Sequence, residues 1–371
     1  NFAAEKKLDP RITYQRTGPA SFTNEFGKVV LVGDNAPRFD HDPITKECKG
    51  LLIEESRTNF MKYSDEFAID HGQTGGNWDA IGGESNYTRV SDTTETKDPT
   101  GITNHASKLT LTGSSPTLRG YWYSGAVDGA VTKTYSVYLK RATSNTTTVS
   151  LDIGDQAYQI FTLTDEWKRY SITTSSAGNG NFVDMHVHSG AGTAYYAWGA
   201  QIEAGSFATS YIPTSSAAVT RGADFALIDG EEFTEFFNQD EGTIITSTNS
   251  LNTSATQYPM VIEGDNTNNE RHIFVEANAY QYQIKDGGST VAQIDAGSIS
   301  TKNIIAAAYK LNDTAVSING SDAATDTSAT MPTCTKLKLG HWSTEVYNGH
   351  INRFIYYSNK ISNSQLKTLS S

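Results

Sequence analysis

Two histidines one residue apart, His186 and His188, are well placed to act together on a ligand. On a β-strand, residues i and i+2 point to the same side, so the two imidazoles can converge on a metal ion or a sugar. Asp184 shares that side and is the nearest further ligand. The alternative is a pair of polar side chains on a solvated strand face, with no ligand at all.

Large aromatic side chains offer a second kind of binding chemistry, because the C–H face of a sugar packs on a flat ring as other apolar groups do. The predicted carbohydrate-binding residues, aromatic and histidine together, are Trp78, Tyr121, Trp122, Tyr123, His186 and His188. The competing interpretation is that each aromatic ring belongs to a core. That interpretation is favoured for Trp198, which lies among small residues.

Pairs of acidic residues recur, among them Glu54 with Glu55 and Asp152 with Asp155. A glycoside hydrolase needs two carboxyl groups about 5–10 Å apart across a cleft, and spacing in the sequence does not identify such a pair. Calcium is the one cofactor that the loop oxygens favour, although an EF-hand loop is absent from the sequence. Phosphate-loop, GxSxG and HExxH motifs are absent as well. No residue is predicted to be catalytic, and no metal ligand is assigned.

The chain has 371 residues, with 29 basic and 41 acidic side chains and a formal net charge of −12. This charge opposes the phosphate backbone of nucleic acid, so no nucleic-acid partner is expected. No apolar stretch approaches the roughly 18 residues of a transmembrane helix, and residues 1–7 do not resemble a signal peptide, so no membrane insertion is expected. Cys48 and Cys334 are isolated in the sequence, which predicts two free and buried thiols.

Alternation of polar and apolar residues runs through most of the chain, in short stretches rich in β-branched and aromatic side chains. Clear examples are 134–139, 147–153, 158–163, 242–246, 271–275, 315–318 and 353–357. Turn sequences such as Asn319-Gly320 separate these stretches. The pattern predicts an all-β protein with two antiparallel, jelly-roll-type β-sandwiches after an irregular N-terminal segment.

Helical signals are scarce. Residues 231–238 place three phenylalanines on one helical face, and residues 363–369 follow Ser362, a suitable N-cap. Two short helices are therefore expected at these positions. The apolar run 304–308 is predicted to be a buried strand.

The chain divides into three predicted segments. Residues 1–54 lack alternation and are rich in turn residues, which indicates a segment that packs on something larger or threads through an assembly. Residues 55–215 hold the first set of strands, and residues 222–371 hold the second. The small, polar stretch 209–221 has the composition of a linker.

Residues 37–43 (PRFDHDP), followed by 50–55 and 57–59, resemble the opening of fibre and appendage proteins of tailed-bacteriophage virions. In that class the opening precedes a β-sandwich similar to carbohydrate-binding modules. Residues 166–170 and 197–221, the latter beginning AWGAQIEAG, match the closing strands of that sandwich.

The last part of the chain is similar to concanavalin A-like, laminin-G-type domains. The stretches that carry this similarity are 306–309, 317–320, 337–340, 349–357 and 361–366. The resemblance to phage proteins thus extends over nearly the whole chain. The run 197–221 is its most specific part.

The resemblance implies a virion location, with residues 1–54 attaching to or packing within the particle. The implied modules are a carbohydrate-binding-like sandwich at 55–215 and a concanavalin A-like sandwich at 222–371. A glycan of the host-cell surface and other virion proteins are the implied partners. Homo-oligomers are expected, and trimers are common in this class, although no shaft repeat is present.

Three functions are compatible with these observations. The favoured one is a tail fibre or other appendage that binds host glycans without cleaving them. The second is a capsid or tail decoration that stabilises its neighbours and has no affinity for sugar. The third is a polysaccharide depolymerase, which requires two acidic residues to converge on one cleft.

Overall fold

A computed structural model of the chain describes residues 1–67, 78–122, 127–143, 145–177, 180–251, 256–265, 270–276 and 279–371. Within these residues the regular structure is almost entirely β-strand, arranged in antiparallel sheets. The sheets form two β-sandwiches, which confirms the predicted fold class. No helix in this part of the chain has the length and apolar character needed to cross a membrane.

The N-terminal segment forms short elements. Their bounds are α1 Phe2–Glu5, β1 Thr13–Gln15, β2 Ala20–Thr23, β3 Val29–Val32, β4 Phe39–His41 and β5 Cys48–Ile53. Strands β2 and β3 pair as a hairpin. Strands β1 and β5 pair with strands that lie much further along the chain, and β4 pairs with β5.

The first sandwich follows. Its strands are β6 Arg57–Asn59, β7 Trp78–Ala80, β8 Tyr87–Val90, β9 Ser107–Leu111, β10 Thr117–Tyr121, β11 Lys133–Arg141, β12 Thr148–Ile153, β13 Ala157–Thr162, β14 Lys168–Thr174, β15 Phe182–Val187, β16 Ala194–Ala204 and β17 Val219–Arg221, with a 3₁₀ turn at Glu84–Asn86. One sheet has the order β13-β12-β15-β10-β7, and the other has the order β14-β11-β16-β9-β8. Strand β6 pairs with β17.

The second sandwich contains the remaining elements. They are β18 Phe225–Asp229, α2 Gly230–Thr234, β19 Glu241–Ser250, β20 Gln257–Glu263, β21 Arg271–Glu276, β22 Tyr280–Asp286, β23 Ser289–Gly297, β24 Lys302–Lys310, β25 Thr314–Ile318, β26 Ala324–Asp326, β27 Lys336–Leu339, β28 His341–Trp342, β29 Glu345–Val346, β30 Gly349–Tyr357 and α3 Asn363–Leu369. Its two sheets have the orders β1-β18-β27-β20-β21-β22-β23 and β26-β25-β24-β19-β30-β5-β4.

Three strands of the N-terminal segment are therefore part of the second sandwich. Strand β1 pairs with β18 at the edge of one sheet, and β5 pairs with β30 in the other. Buried side chains of these strands, such as Leu51 and Ile53, lie in the same hydrophobic core as Ile244 and Phe274. Strands β1, β4 and β5 thus extend the sheets of the second sandwich, whereas the β2–β3 hairpin packs against the first sandwich through Val29 and Trp198.

The local predictions for helices and buried strands are largely confirmed. Helix α3 begins after Ser362, whose side chain forms a capping box with Gln365. The run 304–308 lies inside β24 and is mostly buried. Helix α2 is shorter than the predicted 231–238, because the chain beyond it is held by Asn238, whose N–H donates to the Tyr356 hydroxyl at 2.8 Å.

A buried ion network ties the segments together. Arg38 Nη1 lies 2.7 Å from Glu54 Oε2, and its Nη2 lies 2.5 Å from Asp224 Oδ2. Arg221 lies 3.4 Å from Glu54 and 3.7 Å from Asp224, and Arg16 approaches Asp224 at 3.7 Å. All five side chains are buried. We refer to Arg16, Arg38, Glu54, Arg221 and Asp224 as the junction network.

The electrostatics of the junction network favour its charged state. Burial alone would raise the pKa of Glu54, but attraction to Arg221 and Arg38 and two hydrogen bonds from Ser210 outweigh it and lower the pKa. The carboxylate therefore stays ionised in the folded protein. Removal of one cation would leave it buried with incomplete compensation.

The stretch 209–221 differs from the expected linker. Tyr211 and Arg221 are fully buried, and Tyr211 packs with Trp198 and Val29 of β3. Trp198 is buried, as predicted. These contacts cover the outer surface of the sheet β14-β11-β16-β9-β8, so the linker-like residues form part of the junction between the sandwiches.

We expect Arg38→Ala to destabilise the protein strongly, because the substitution leaves Glu54 and Asp224 buried without their closest cation. Breaking a buried ion pair costs about 3–5 kcal/mol. Equilibrium unfolding in urea, followed by tryptophan fluorescence, measures the loss.

Arg11→Ala is the matched control, since Arg11 pairs with Asp9 at 2.9 Å while both side chains remain about two-fifths exposed. An exposed pair contributes about 0–1 kcal/mol. Equal effects of the two substitutions on the free energy of unfolding would show that the junction network is not a dominant constraint.

Candidate functional site

The sheet β13-β12-β15-β10-β7 presents its outer side to solvent, and strand alternation decides which side chains lie there. On β15, Val183, Met185 and Val187 enter the hydrophobic core, whereas Asp184 and His186 point to the opposite side. We call this opposite side the outer sheet face.

One row of directly paired residues crosses all five strands of the outer sheet face. The row runs, strand by strand, through Tyr158, Asp152, Asp184, Arg119 and Asp79. Directly opposite residues in antiparallel strands have side chains close enough to interact. Residues that are up to 105 positions apart in the sequence therefore act as one surface, which we call the cross-strand row.

Arg119 is the centre of the cross-strand row. Its Nε and Nη2 donate to the two oxygens of Asp184 at 2.8 and 2.7 Å, and Nη2 lies 3.5 Å from Asp155 in the turn after β12. Its guanidinium also lies 3.4 Å from the ring centroid of Phe182. A bidentate pair with a stacked ring holds the arginine in a fixed orientation.

Asp152 is less well compensated than Asp184. Its carboxylate accepts the backbone N–H of Asp155 at 2.7 Å. Burial, followed by repulsion from Asp184 and Asp155, raises the pKa of Asp152 to about 6. Burial also raises the pKa of Asp184, although Arg119 opposes the effect. The row therefore includes a carboxylate that titrates just below neutral pH.

The two predicted histidines lie together on the outer sheet face, with ring centroids 4.8 Å apart. His186 Nδ1 is 2.8 Å from the Thr117 hydroxyl, and His188 Nε2 is 3.1 Å from the Ser150 hydroxyl. Burial and the neighbouring His188 lower the pKa of His186. At neutral pH the His186 imidazole is therefore uncharged and can both donate and accept hydrogen bonds.

Two exposed side chains on β13 complete the surface, and the sequence analysis did not single them out. Tyr158 is 71% exposed and Ile160 is 51% exposed. Tyr158 pairs with Asp152, and Ile160 pairs with Ser150. The signal for Tyr158 was present in the sequence, since a tight turn at Gly154 and Asp155 between two alternating stretches predicts a hairpin that sets Tyr158 opposite Asp152.

The predicted aromatic residues have different positions. Trp78 and Trp122 are only 1% and 3% exposed, since both side chains pack in the core of the first sandwich. In this arrangement neither ring offers a face to a sugar. Tyr121 lies on the outer sheet face, half-buried against Phe182 with ring centroids 6.4 Å apart. Tyr123 lies outside the described residues.

The acidic side chains of the row also bear on the expected calcium site. Among the described residues, one group of three potential metal ligands (His, Cys, Asp or Glu) has its ligand atoms within 4.8 Å of one another. This group is Asp152, Asp155 and Asp184. Asp155 and Asp184 already pair with the guanidinium of Arg119, which a calcium ion would have to displace. This group therefore does not fit a calcium site. Cys48 and Cys334 are free thiols, as predicted, but only Cys334 is buried, whereas Cys48 is partly exposed.

No protein-family model and no curated protein matches the sequence. Among solved structures, the CBM40 module of the Ruminococcus gnavus IT-sialidase, bound to α2,3-sialyllactose, is 17% identical over 36% of this chain and 83% of its own, with a TM-score of 0.32. The NanB sialidase of Streptococcus pneumoniae is 15% identical over 39% of this chain and 26% of its own, with a TM-score of 0.33. Botulinum neurotoxin type C, which interacts with two ganglioside molecules, is 10% identical over 40% of this chain and 39% of its own, with a TM-score of 0.31. Scores of this size carry no argument about what this chain binds.

We expect Asp152→Asn to stabilise the protein at neutral pH. The pKa of Asp152 is raised to about 6 from an ordinary value of 3.8, so the ionised form is disfavoured in the folded state and stability increases as the pH falls through this range. Asparagine has no charge but still accepts the Asp155 N–H. A gain of a fraction of a kcal/mol in the free energy of unfolding should raise the Tm by roughly 1–3 °C.

Scanning calorimetry at a series of pH values, from neutral pH down to the ordinary pKa of aspartate, measures this effect. The Tm difference between Asp152→Asn and the unsubstituted protein should vanish at the acidic end. Asp322→Asn is the control, because Asp322 is exposed and its pKa is lowered by Lys367. A lower Tm for Asp152→Asn at neutral pH would contradict the interpretation.

Proposed function

We propose that this protein binds glycans on its outer sheet face, does not cleave them, and serves as an appendage of a phage virion that contacts the host surface. The observation that carries the binding role is the cross-strand row. It combines an exposed aromatic ring at Tyr158 with an ordered set of hydrogen-bonding groups at Asp152, Asp184 and Arg119.

The chemistry of the row suits a sugar, which has apolar C–H faces and a rim of hydroxyl groups. The ring of Tyr158 supplies an exposed surface for stacking, with Ile160 beside it on the same strand. Asp152 and Asp155 provide acceptors beside Tyr158, and His186 and His188 provide further hydrogen-bonding groups along β15 and at its end. Arg119 and Asp184 restrain each other, so little side-chain entropy remains to be lost on binding.

The arrangement of carboxylates argues for binding without hydrolysis. Hydrolysis of a glycosidic bond places two carboxyl groups on either side of that bond, about 5–10 Å apart. Asp155 and Asp184 instead both pair with the guanidinium of Arg119 on the outer side of a sheet. A group of this kind forms hydrogen bonds with one face of a ligand.

The virion role is supported by the sequence resemblance alone. The stretches that carry it, 37–59 and 197–221, contain Arg38, Glu54 and Arg221 of the junction network. The likeness therefore concerns the residues that join the segments, as expected for a shared architecture. Several copies on one particle would bind at the same time, so that weak individual sites would give a high overall affinity.

A non-binding decoration is the second candidate, and the buried junction network favours it, because a rigid connection between two sandwiches suits a spacer. The two functions differ in whether the outer sheet face has any affinity for sugar. A polysaccharide depolymerase differs from both in releasing new reducing ends.

We expect Tyr158→Ala to weaken glycan binding roughly tenfold, since the loss of one aromatic stack of about 1.5 kcal/mol corresponds to that factor. The purified chain is first screened on a glycan array that includes bacterial surface polysaccharides. Titration calorimetry with the best ligand then measures Kd for the unsubstituted chain and the variant.

Phe26→Ala is the matched control, because Phe26 is 69% exposed but lies in the N-terminal hairpin, away from the outer sheet face. It should leave Kd unchanged. Absence of binding to every glycan would support the decoration, and new reducing ends after incubation would support a depolymerase. Equal losses in both variants would contradict the assignment of the site.

A further inference from the structure

The outer sheet face carries more negative than positive charge. Strands β10, β12, β13 and β15 contain one arginine and no lysine, and the single arginine is Arg119. Against it stand the carboxylates of Asp152, Asp155 and Asp184. Asp152, with a pKa of about 6, is ionised at neutral pH. A ligand on this face therefore meets a surplus of negative charge.

Arg119 is largely committed to the protein itself. Two of its three nitrogens contact Asp184 and Asp155, and its plane lies against Phe182. Arginine binds a carboxylate most strongly in a bidentate pair, through a guanidinium edge with two parallel N–H groups. In this structure the edge formed by Nε and Nη2 already holds Asp184.

His186 does not supply the missing positive charge. It has a lowered pKa because of its burial and of the neighbouring His188, and its Nδ1 is engaged with Thr117. His188 Nε2 is engaged with the Ser150 hydroxyl at 3.1 Å. An anionic sugar on this face would consequently lose hydration without gaining an ion pair.

We propose that the outer sheet face selects glycans that carry no anionic group, and that it excludes sugars with a carboxylate, sulfate or phosphate at the contact. This inference rests on the proposed function, because it specifies the ligand class of the same site. Arg119 acts as a positioning residue that orders Asp184, and Asp152 and Asp155 determine the charge specificity.

Matched pairs of glycans test the charge specificity. Each pair on the array consists of one neutral oligosaccharide, such as lactose, and the same oligosaccharide with sialic acid or sulfate added. We expect the anionic member to bind roughly tenfold more weakly, because a unit charge within a few ångströms of an exposed carboxylate changes the free energy by about 1 kcal/mol or more. Higher salt should narrow the difference.

The double variant Asp152→Asn/Asp155→Asn removes two of the three charges while keeping the side-chain shapes. It should raise the ratio of anionic to neutral affinity severalfold. Asp322→Asn/Asp326→Asn is the control with the same change in net charge, and it lies in the second sandwich, in the turn before β26 and at its end. This control should leave the ratio unchanged.

The outcomes separate the two proposals. Binding of anionic members as tightly as neutral ones, or an unchanged ratio in the Asp152→Asn/Asp155→Asn variant, overturns the charge specificity and leaves glycan binding intact. Absence of binding to both members of every pair overturns the proposed function and this inference with it. A preference for neutral members that weakens only in the site variant supports both.

Discussion

Three arginines and two carboxylates are buried together where the N-terminal segment meets both sandwiches. Arg38 reaches Glu54 and Asp224 at once, and Arg221 shares the same two carboxylates. A buried charge without its partner is costly, so the segments that contribute these residues are stable only in one mutual arrangement. The pairing of β1 with β18 and of β5 with β30 joins the N-terminal segment to the second sandwich beside this network.

The same junction makes the two sheets of the first sandwich unequal. The N-terminal hairpin and residues 209–221 cover the outer side of one sheet, where Trp198 and Tyr211 are buried. The outer sheet face of the other sheet keeps exposed aromatic and polar side chains, Tyr158 among them. The contacts of the junction and the exposed outer sheet face thus lie on opposite sides of one sandwich.

The local sequence pattern was sufficient to predict the strands, helix α3 with its Ser362 cap, and the shared orientation of Asp184, His186 and His188. These features depend on alternation or on capping within a few residues. Alternation did not distinguish Trp78 and Trp122, which are core residues, from aromatic side chains on the surface. Side-chain type is compatible with both positions, and only the pairing of β7 and β10 decides which side each ring occupies.

By itself, the sequence determined the all-β class, the turns and the alternating sides of each strand, because backbone geometry relates neighbouring residues directly. Only the tertiary structure decided that β1, β4 and β5 join the second sandwich and that 209–221 is a buried junction. It also decided that Asp152, Asp184 and Arg119 form one row across three strands. The physical reason is strand order, since pairing between strands distant in the chain is set by packing of the whole core and not by any local signal.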